Sequence, residues 1–307
     1  MSSQDSPEEI RRKMLDLPQN WWRTTIAAGS LIQWFKGHVL PLLLAGVVNQ
    51  NSQYCVYTGV LLNHAGRSVW LTAGHVVDEL QLFLHSPLFK TTQLTWLDGY
   101  DVEKAEVVPL HRRDIPMKSW REVGLDVGAV LPSMLDALNI QKNDKVRPID
   151  AVIWKNLASA SPEGYFAIGY PRPWSHHTET PRPDKKVLHS IRADIACIPL
   201  EPAPPPSDLR HRPEWTDPSA FYGRILPYLD EPTFEVDDIR GMSGGPILSV
   251  ERDPSGRIVY RLVGVIQSWS PSLSTIRAEP VDRVAKVIEE WLANTAELQQ
   301  PTETGGA

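Results

Sequence analysis

The sequence predicts an all-β fold with helices confined to its ends. Three observations carry that expectation. From about Gly37 onward the chain breaks into short runs rich in β-branched, leucine and aromatic residues, among them HVLPLLLAGVV, QYCVYTGVLL, SVWLTAGHVV, DVGAVL, YFAIGY, PILSVE and IVYRLVGVIQSW. Turn chemistry such as NQNS and NHAGR separates them. Helical spacing shows only near the two termini. Many short strands at fairly even spacing define a barrel or a sandwich.

The elements follow in order. PEEIRRKMLDL, residues 7–17, reads as a short helix: Ser6 is its N-cap, Pro7 its first position, and Glu8 and Glu9 suit its first turn. Thr24 to Val48 is apolar on average, but Gln33, Lys36, His38 and Pro41 interrupt it. Its densest part, Val39 to Val48, is half the roughly 20 residues of a membrane span, so a buried strand is expected. QLFLH, TQLTWL and KAEVVPL continue the series of short strand-like runs. Pro171 to Pro232 holds much of the chain's 27 prolines and reads as long surface loops around one strand, 187–200. Val281, Val284, Val287, Ile288 and Trp291 lie at helical spacing, which predicts an amphipathic helix over 280–299. QPTETGGA, 300–307, is expected to be a disordered tail. Residues 1–36 are thus an N-terminal extension and 37–299 the main domain.

Composition excludes some classes of function. Net charge is −6 and no Lys/Arg block stands out, so nucleic acid is not an expected partner. Two cysteines, Cys55 and Cys197, rule out a disulfide scaffold and fit two free thiols in a reducing compartment. No apolar run follows a basic start at the N-terminus, and no segment is long enough to span a membrane. A cytoplasmic protein without membrane association is expected. His176 and His177 are adjacent, but no further ligand at suitable spacing completes a metal site, so neither metal nor cofactor is expected.

Three segments carry chemistry: Leu71-Thr72-Ala73-Gly74-His75-Val76, Leu125-Asp126-Val127-Gly128-Ala129-Val130, and Gly241-Met242-Ser243-Gly244-Gly245-Pro246. Alone, each has an ordinary reading: a packing histidine, a turn aspartate, a flexible serine turn. In the order His, Asp, Ser they fit nucleophilic catalysis. A serine hydroxyl is a weak nucleophile that needs an adjacent base. The base needs an orienting acid. The tetrahedral oxyanion needs converging backbone N–H groups, here those of Gly241 and Ser243. Glycine at 241 permits the tight turn, and glycines at 244 and 245 permit close approach of substrate and neighbouring backbone.

These segments resemble those of the trypsin-like serine peptidases. TAGHV is similar to their TAAHC, GMSGGP to their GDSGGP and DVGAV to their Asp-Ile-Ala-Leu-Leu, and Gly59 resembles a glycine of the strand before the histidine motif. The resemblance covers roughly Gly37 to Gln299 in the order and type of elements. It implies a chymotrypsin-like fold of two perpendicular six-stranded β-barrels, about 37–135 and 150–279, with a C-terminal helix. It implies His75 as general base, Asp126 as its orienting acid and Ser243 as nucleophile. Asp78, Asp101 and Asp114 are rival acids, but Asp126 opens an apolar strand as the family's acid does.

The departures from the family are informative. Val76 replaces the cysteine that usually follows the histidine, which leaves Cys55 without its customary partner. Met242 replaces the acid that pairs with a freshly cut N-terminus, and no Ile-Val-Gly-Gly start exists. YFAIGYPRP looks more like the bacterial, non-zymogen branch. Activation by N-terminal processing is therefore not expected. Either local packing of Met242 holds the oxyanion amides, or a substrate or regulatory protein partner orders them; the gated form is the expectation, with the 171–232 loops as docking elements. Counting back from Ser243 places Asp237 where family members carry the acid that binds Lys or Arg, although beside Asp238 and Arg240 it also reads as a solvated loop residue. Ser268-Trp269-Ser270 resembles the edge strand that pairs with substrate backbone. A serine endopeptidase acting on a protein or peptide is the expected function. A catalytically silent trypsin-fold binding module and an esterase using the same triad are the alternatives.

Overall fold

The computed structural model describes residues 20–49, 51–64, 66–97, 107–109, 115–133, 146–150, 162–181, 187–233, 238–252 and 257–298. The fold is mostly β. In the N-terminal half, β1 (Val39–Val48), β2 (Asn51–His64), β3 (Arg67–Thr72), β4 (Lys90–Leu97), β5 (Val107–Pro109), β6 (Met117–Ser119) and β7 (Gly128–Val130) form one seven-stranded sheet in the order β5-β4-β1-β2-β3-β7-β6. In the C-terminal half, β8 (Gly164–Gly169), β11 (Ala196–Pro202), β12 (Phe221–Ile225), β13 (Pro246–Arg252), β14 (Ile258–Ser270) and β15 (Thr275–Pro280) close into a six-stranded barrel. A separate hairpin, β9 (Ser175–Pro181) with β10 (Val187–Ala193), stands beside it.

Strand alternation builds two faces from each run. In β2, Tyr57 and Leu61 enter the core of the N-terminal sheet, while Val60 and Leu62 enter a cluster between the halves. In β8, Ala167 faces the barrel core and Phe166 and Ile168 face that same shared cluster. Two helices complete the shared cluster. α1 (Thr25–Phe35) contributes Ala28, Leu31 and Phe35, and α3 (Val281–Leu298) contributes Val281, Val284, Ile288 and Leu292. α1 packs on β11 of the barrel, whereas α3 reaches the other half, where Trp291 meets Trp120 edge-to-face at 5.8 Å.

The structure corrects several sequence expectations. Val39–Val48 is the expected buried strand, and Thr25–Phe35, to which the sequence assigned no helix, is helical. The Thr24 hydroxyl caps α1 by accepting from the Ala27 amide at 3.2 Å. Ala27, Ala28, Leu31 and Phe35 form its buried face, and Ile26 and Trp34 stay exposed. GHVVDELQLFLH is also a helix, α2 (Gly74–His85), which falls inside the N-terminal half and not at an end. The stretch 171–232 holds a hairpin and two barrel strands instead of one strand among loops. The expected helix over 7–17 and the tail at 300–307 lie outside the described residues.

Candidate active site

His75 is the second residue of α2. The first amides of a helix have no partner within it. The Asp126 carboxylate supplies one: Oδ1 accepts from the His75 backbone N–H at 2.8 Å, and Oδ2 meets His75 Nδ1 at 2.8 Å. One carboxylate therefore caps the helix and orients the ring. Asp126 sits at the middle of a tight turn closed by Val127 N–H to Leu125 O at 2.8 Å, just before β7. Burial pushes its carboxyl up, but the His75 hydrogen bonds and charge, with Arg121, outweigh this and hold it below the usual carboxylate range. Arg121 Nε lies 3.6 Å from Asp126 Oδ1. The rival acid Asp78 is bound by Arg121 at 2.9 Å, and Asp101 and Asp114 lie outside the described residues.

Ser243 follows a backbone held from both halves. Gly241 has φ +97°, and a Cβ there would come within 2.8 Å of the Arg172 nitrogen. The Gly241 carbonyl accepts from Thr58 Oγ1 of β2 at 2.7 Å. Gly244 has φ +92°, and a Cβ there would lie 2.0 Å from Thr72 Oγ1. Met242 is fully buried in the barrel core, in the cluster that holds Ile239, Ile247 and Ile266. Among the described residues the amides of Gly241 and Ser243 donate to no group, while those of Met242, Gly244 and Gly245 are all bonded. Two N–H groups thus stay unengaged beside the serine, as an oxyanion site requires.

His75, Gly241 and Ser243 line a single cavity of about 420 Å3. No hydrogen bond joins Ser243 to His75 among the described residues. The Ser243 hydroxyl instead donates to the Gln267 carbonyl at 3.3 Å. Rotation about one side-chain bond would redirect the hydroxyl.

Gln267 is a site residue that the sequence did not disclose. It is the extra residue of a bulge in β14, since the pairing with β15 shifts between Ile266 and Ser268. Its Nε2 donates to the Asp126 carbonyl at 3.2 Å and to Glu279 Oε2 at 3.0 Å. Glu279 is fully buried, which pushes its carboxyl up, and Arg283 Nη1 stands 2.7 Å from its Oε1. Arg283 also binds Asp217 at 2.6 Å.

The remaining predicted residues fall as follows. Ser268, Trp269 and Ser270 pair with Arg277, Ile276 and Thr275 of β15, and β13 pairs with β14 only as far as Val265. The other edge of 268–270 therefore has no strand partner among the described residues. Asp237 lies outside the described residues, and Asp238 is bound by Arg240. Cys55 and Cys197 are unpaired. Among the described residues no group of three or more metal-ligating side chains occurs, and no helix is long and apolar enough to cross a membrane.

No protein-family model matches the chain, and no curated protein sequence matches it. Among solved structures it is similar to the protease Anisep from Arthrobacter nicotinovorans, at 14% identity over 80% of this chain and 90% of that one, with a TM-score of 0.41. A thermostable serine protease, AL20, from an extremophilic microorganism matches at 14% identity, 80% and 92% coverage and a TM-score of 0.40. Neuropsin, a serine protease from mouse brain, matches at 14% identity, 85% and 96% coverage and a TM-score of 0.40. At this distance the likeness bears on neither activity nor substrate.

Proposed function

We propose that the chain is a serine endopeptidase that cleaves peptide bonds through an acyl-enzyme, with Ser243 as nucleophile, His75 as general base and Asp126 as the acid that orients it. The observation that carries this reading is the double contact of Asp126 with His75 in the cavity that also holds Ser243 and two unengaged amides.

In the proposed reaction His75 Nδ1 keeps its proton and donates it in a hydrogen bond to Asp126, which leaves Nε2 as the acceptor for the Ser243 proton. Ser243 Oγ attacks the scissile carbonyl. The amides of Gly241 and Ser243 stabilise the resulting oxyanion. His75 then protonates the leaving nitrogen, and water repeats the sequence on the acyl-enzyme. The free edge of 268–270 pairs with the acyl half of the substrate as an added strand. Because Met242 is already packed, a regulatory partner in this scheme acts by delivering a protein substrate and not by ordering the oxyanion amides.

The bond from Ser243 to the Gln267 carbonyl is the one feature that favours a silent binding module. A fluorophosphonate probe decides between the two readings. It should label the wild-type chain and fail on Ser243→Ala; absence of labelling in the wild type would sink the enzymatic reading. Cleavage of a peptide library then separates a peptidase from an esterase.

A further inference from the structure

The cavity beside Ser243 has a second use, and this inference rests on the proposed peptidase reading. None of residues 267–270 lines the cavity, so it opens on the side of Ser243 away from the free strand edge. A peptide whose acyl half lies along 268–270 must send its leaving half past His75 into this space. At about 420 Å3 the space is within the range of ligand-binding pockets.

Its two walls differ in chemistry. On the N-terminal-half wall, Glu79 lies one helical turn after His75, and Tyr57 is buried. The electrostatic neighbours of the Tyr57 hydroxyl are the Cys55 thiol and the Glu79 carboxylate, so Glu79, although it lines the cavity, also faces Tyr57 on its own wall. On the barrel wall stand Arg172, His176 and Arg240. Arg240 is held by Asp238, which accepts from its Nε at 2.8 Å and also from its Nη2. Arg172 differs. Its backbone is pinned to the oxyanion segment through its N–H to the Arg240 carbonyl, and its guanidinium makes no hydrogen bond with any described residue, although its charge helps to hold the Asp238 carboxyl down. The barrel wall therefore offers one rigidly based fork of donors next to the scissile position, its carboxylate neighbour, Asp238, being already hydrogen-bonded to Arg240. Such a fork matches a carboxylate.

We propose that this cavity seats the leaving half of the substrate and selects an acidic side chain within the first two residues after the scissile bond, with Arg172 as the specificity-determining residue.

Acyl transfer tests this directly. The full chain is acylated with the best of a panel of N-acetyl amino-acid thiobenzyl esters. Dipeptide amides carrying Asp, Ala or Lys at either position then compete with water. In each capture the amine nitrogen attacks the acyl carbonyl, and Ser243 Oγ leaves with the proton returned by His75. Acidic amides should capture the acyl group about tenfold better than lysine amides, the scale of one charge-assisted contact. The ratio is read within each variant, so a general loss of turnover cancels. Arg172→Glu should invert it and Arg172→Lys should keep its direction. Capture indifferent to charge, capture that favours lysine, or a ratio unmoved by Arg172→Glu overturns the inference while the peptidase reading stands. Failure of the wild-type chain to turn over any ester or to take the fluorophosphonate overturns both.

Discussion

Asp126→Asn tests the site at its most constrained point. The aspartate serves two donors at once, the His75 amide through Oδ1 and Nδ1–H through Oδ2. An asparagine has one oxygen to offer. If that oxygen satisfies the helix amide, the NH2 group faces Nδ1 and forces the ring proton onto Nε2, so His75 can no longer accept from Ser243. The flipped amide restores the tautomer but sets NH2 against the helix amide and near Arg121 Nε. Leaving that donor unsatisfied costs about 1–3 kcal/mol, which leaves the productive form a minority by about 5- to 160-fold. The neutral amide also loses the attraction of carboxylate for imidazolium across 2.8 Å, about 3 kcal/mol and so roughly 10²-fold. Together these lower kcat by about 10³- to 10⁴-fold, with folding intact. The assay is steady-state ester or peptide turnover beside a thermal melt. Turnover of Asp126→Asn within tenfold of wild type, at unchanged melting temperature, would refute the reasoning.

Other predictions follow from the same contacts. Ser243→Ala and His75→Ala should each abolish turnover without lowering the melting temperature appreciably, since the Ser243 hydroxyl makes only one long bond. Gly244→Ala should destabilise by more than about 2 kcal/mol because it meets both a positive φ and Thr72, whereas Gly29→Ala, in open space on exposed α1, should stabilise by about 0.5–1 kcal/mol; chemical denaturation reads both. Burial pushes the Asp217 carboxyl up, but Ser219 and Arg283 outweigh it and bring it down to about 2. Its contribution is therefore full above the unfolded value and is lost as pH falls toward 2, so the melting-temperature gap between wild type and Asp217→Asn should be constant near neutrality and close below about pH 4. Thiol titration of the denatured chain should count two, and in the native chain half-buried Cys55 should react well before buried Cys197, whose thiol burial pushes up.

The segments of the proposed triad stand out in the sequence because such chemistry fixes residue types at fixed offsets. Gly241 and Gly244 sit at positive φ against backbone and hydroxyl groups of the other half, so glycine there is a steric requirement that a single sequence can display. Strands such as 246–252 and 258–270 were legible from their β-branched content. The two helices in the N-terminal half were not, for related reasons. In α1, exposed Ile26 and Trp34 fill the polar face with apolar residues and blur the spacing of Ala27, Leu31 and Phe35. In α2, Val76, Val77 and Leu80 follow directly on the strand residues of SVWLT, so one apolar run hides a change of period. Gln267 left no signal, because a bulge exists only in the pairing of two strands. Thr58 binds the Gly241 carbonyl and Arg172 lines the cavity of Ser243 across long sequence separations, and nothing local marks them.

The crossing of the two terminal helices sets an order of assembly. The first described helix belongs to the last-made barrel: Trp22 packs on Phe166, and Thr25 binds Asp230 about two hundred residues later. The last helix reaches back to Trp120, and Arg67 donates to the Leu292 carbonyl. On a ribosome the N-terminal sheet has all its strands while α1 still waits, apolar face uncovered, for the barrel that receives it. Such high contact order implies slow completion and a stretch of synthesis during which that helix is a client for chaperones. It also means that a chain cut near Gly37 would lose the helix from a core shared by both halves, so an attempt to free an enzyme by trimming would yield aggregation in place of activity.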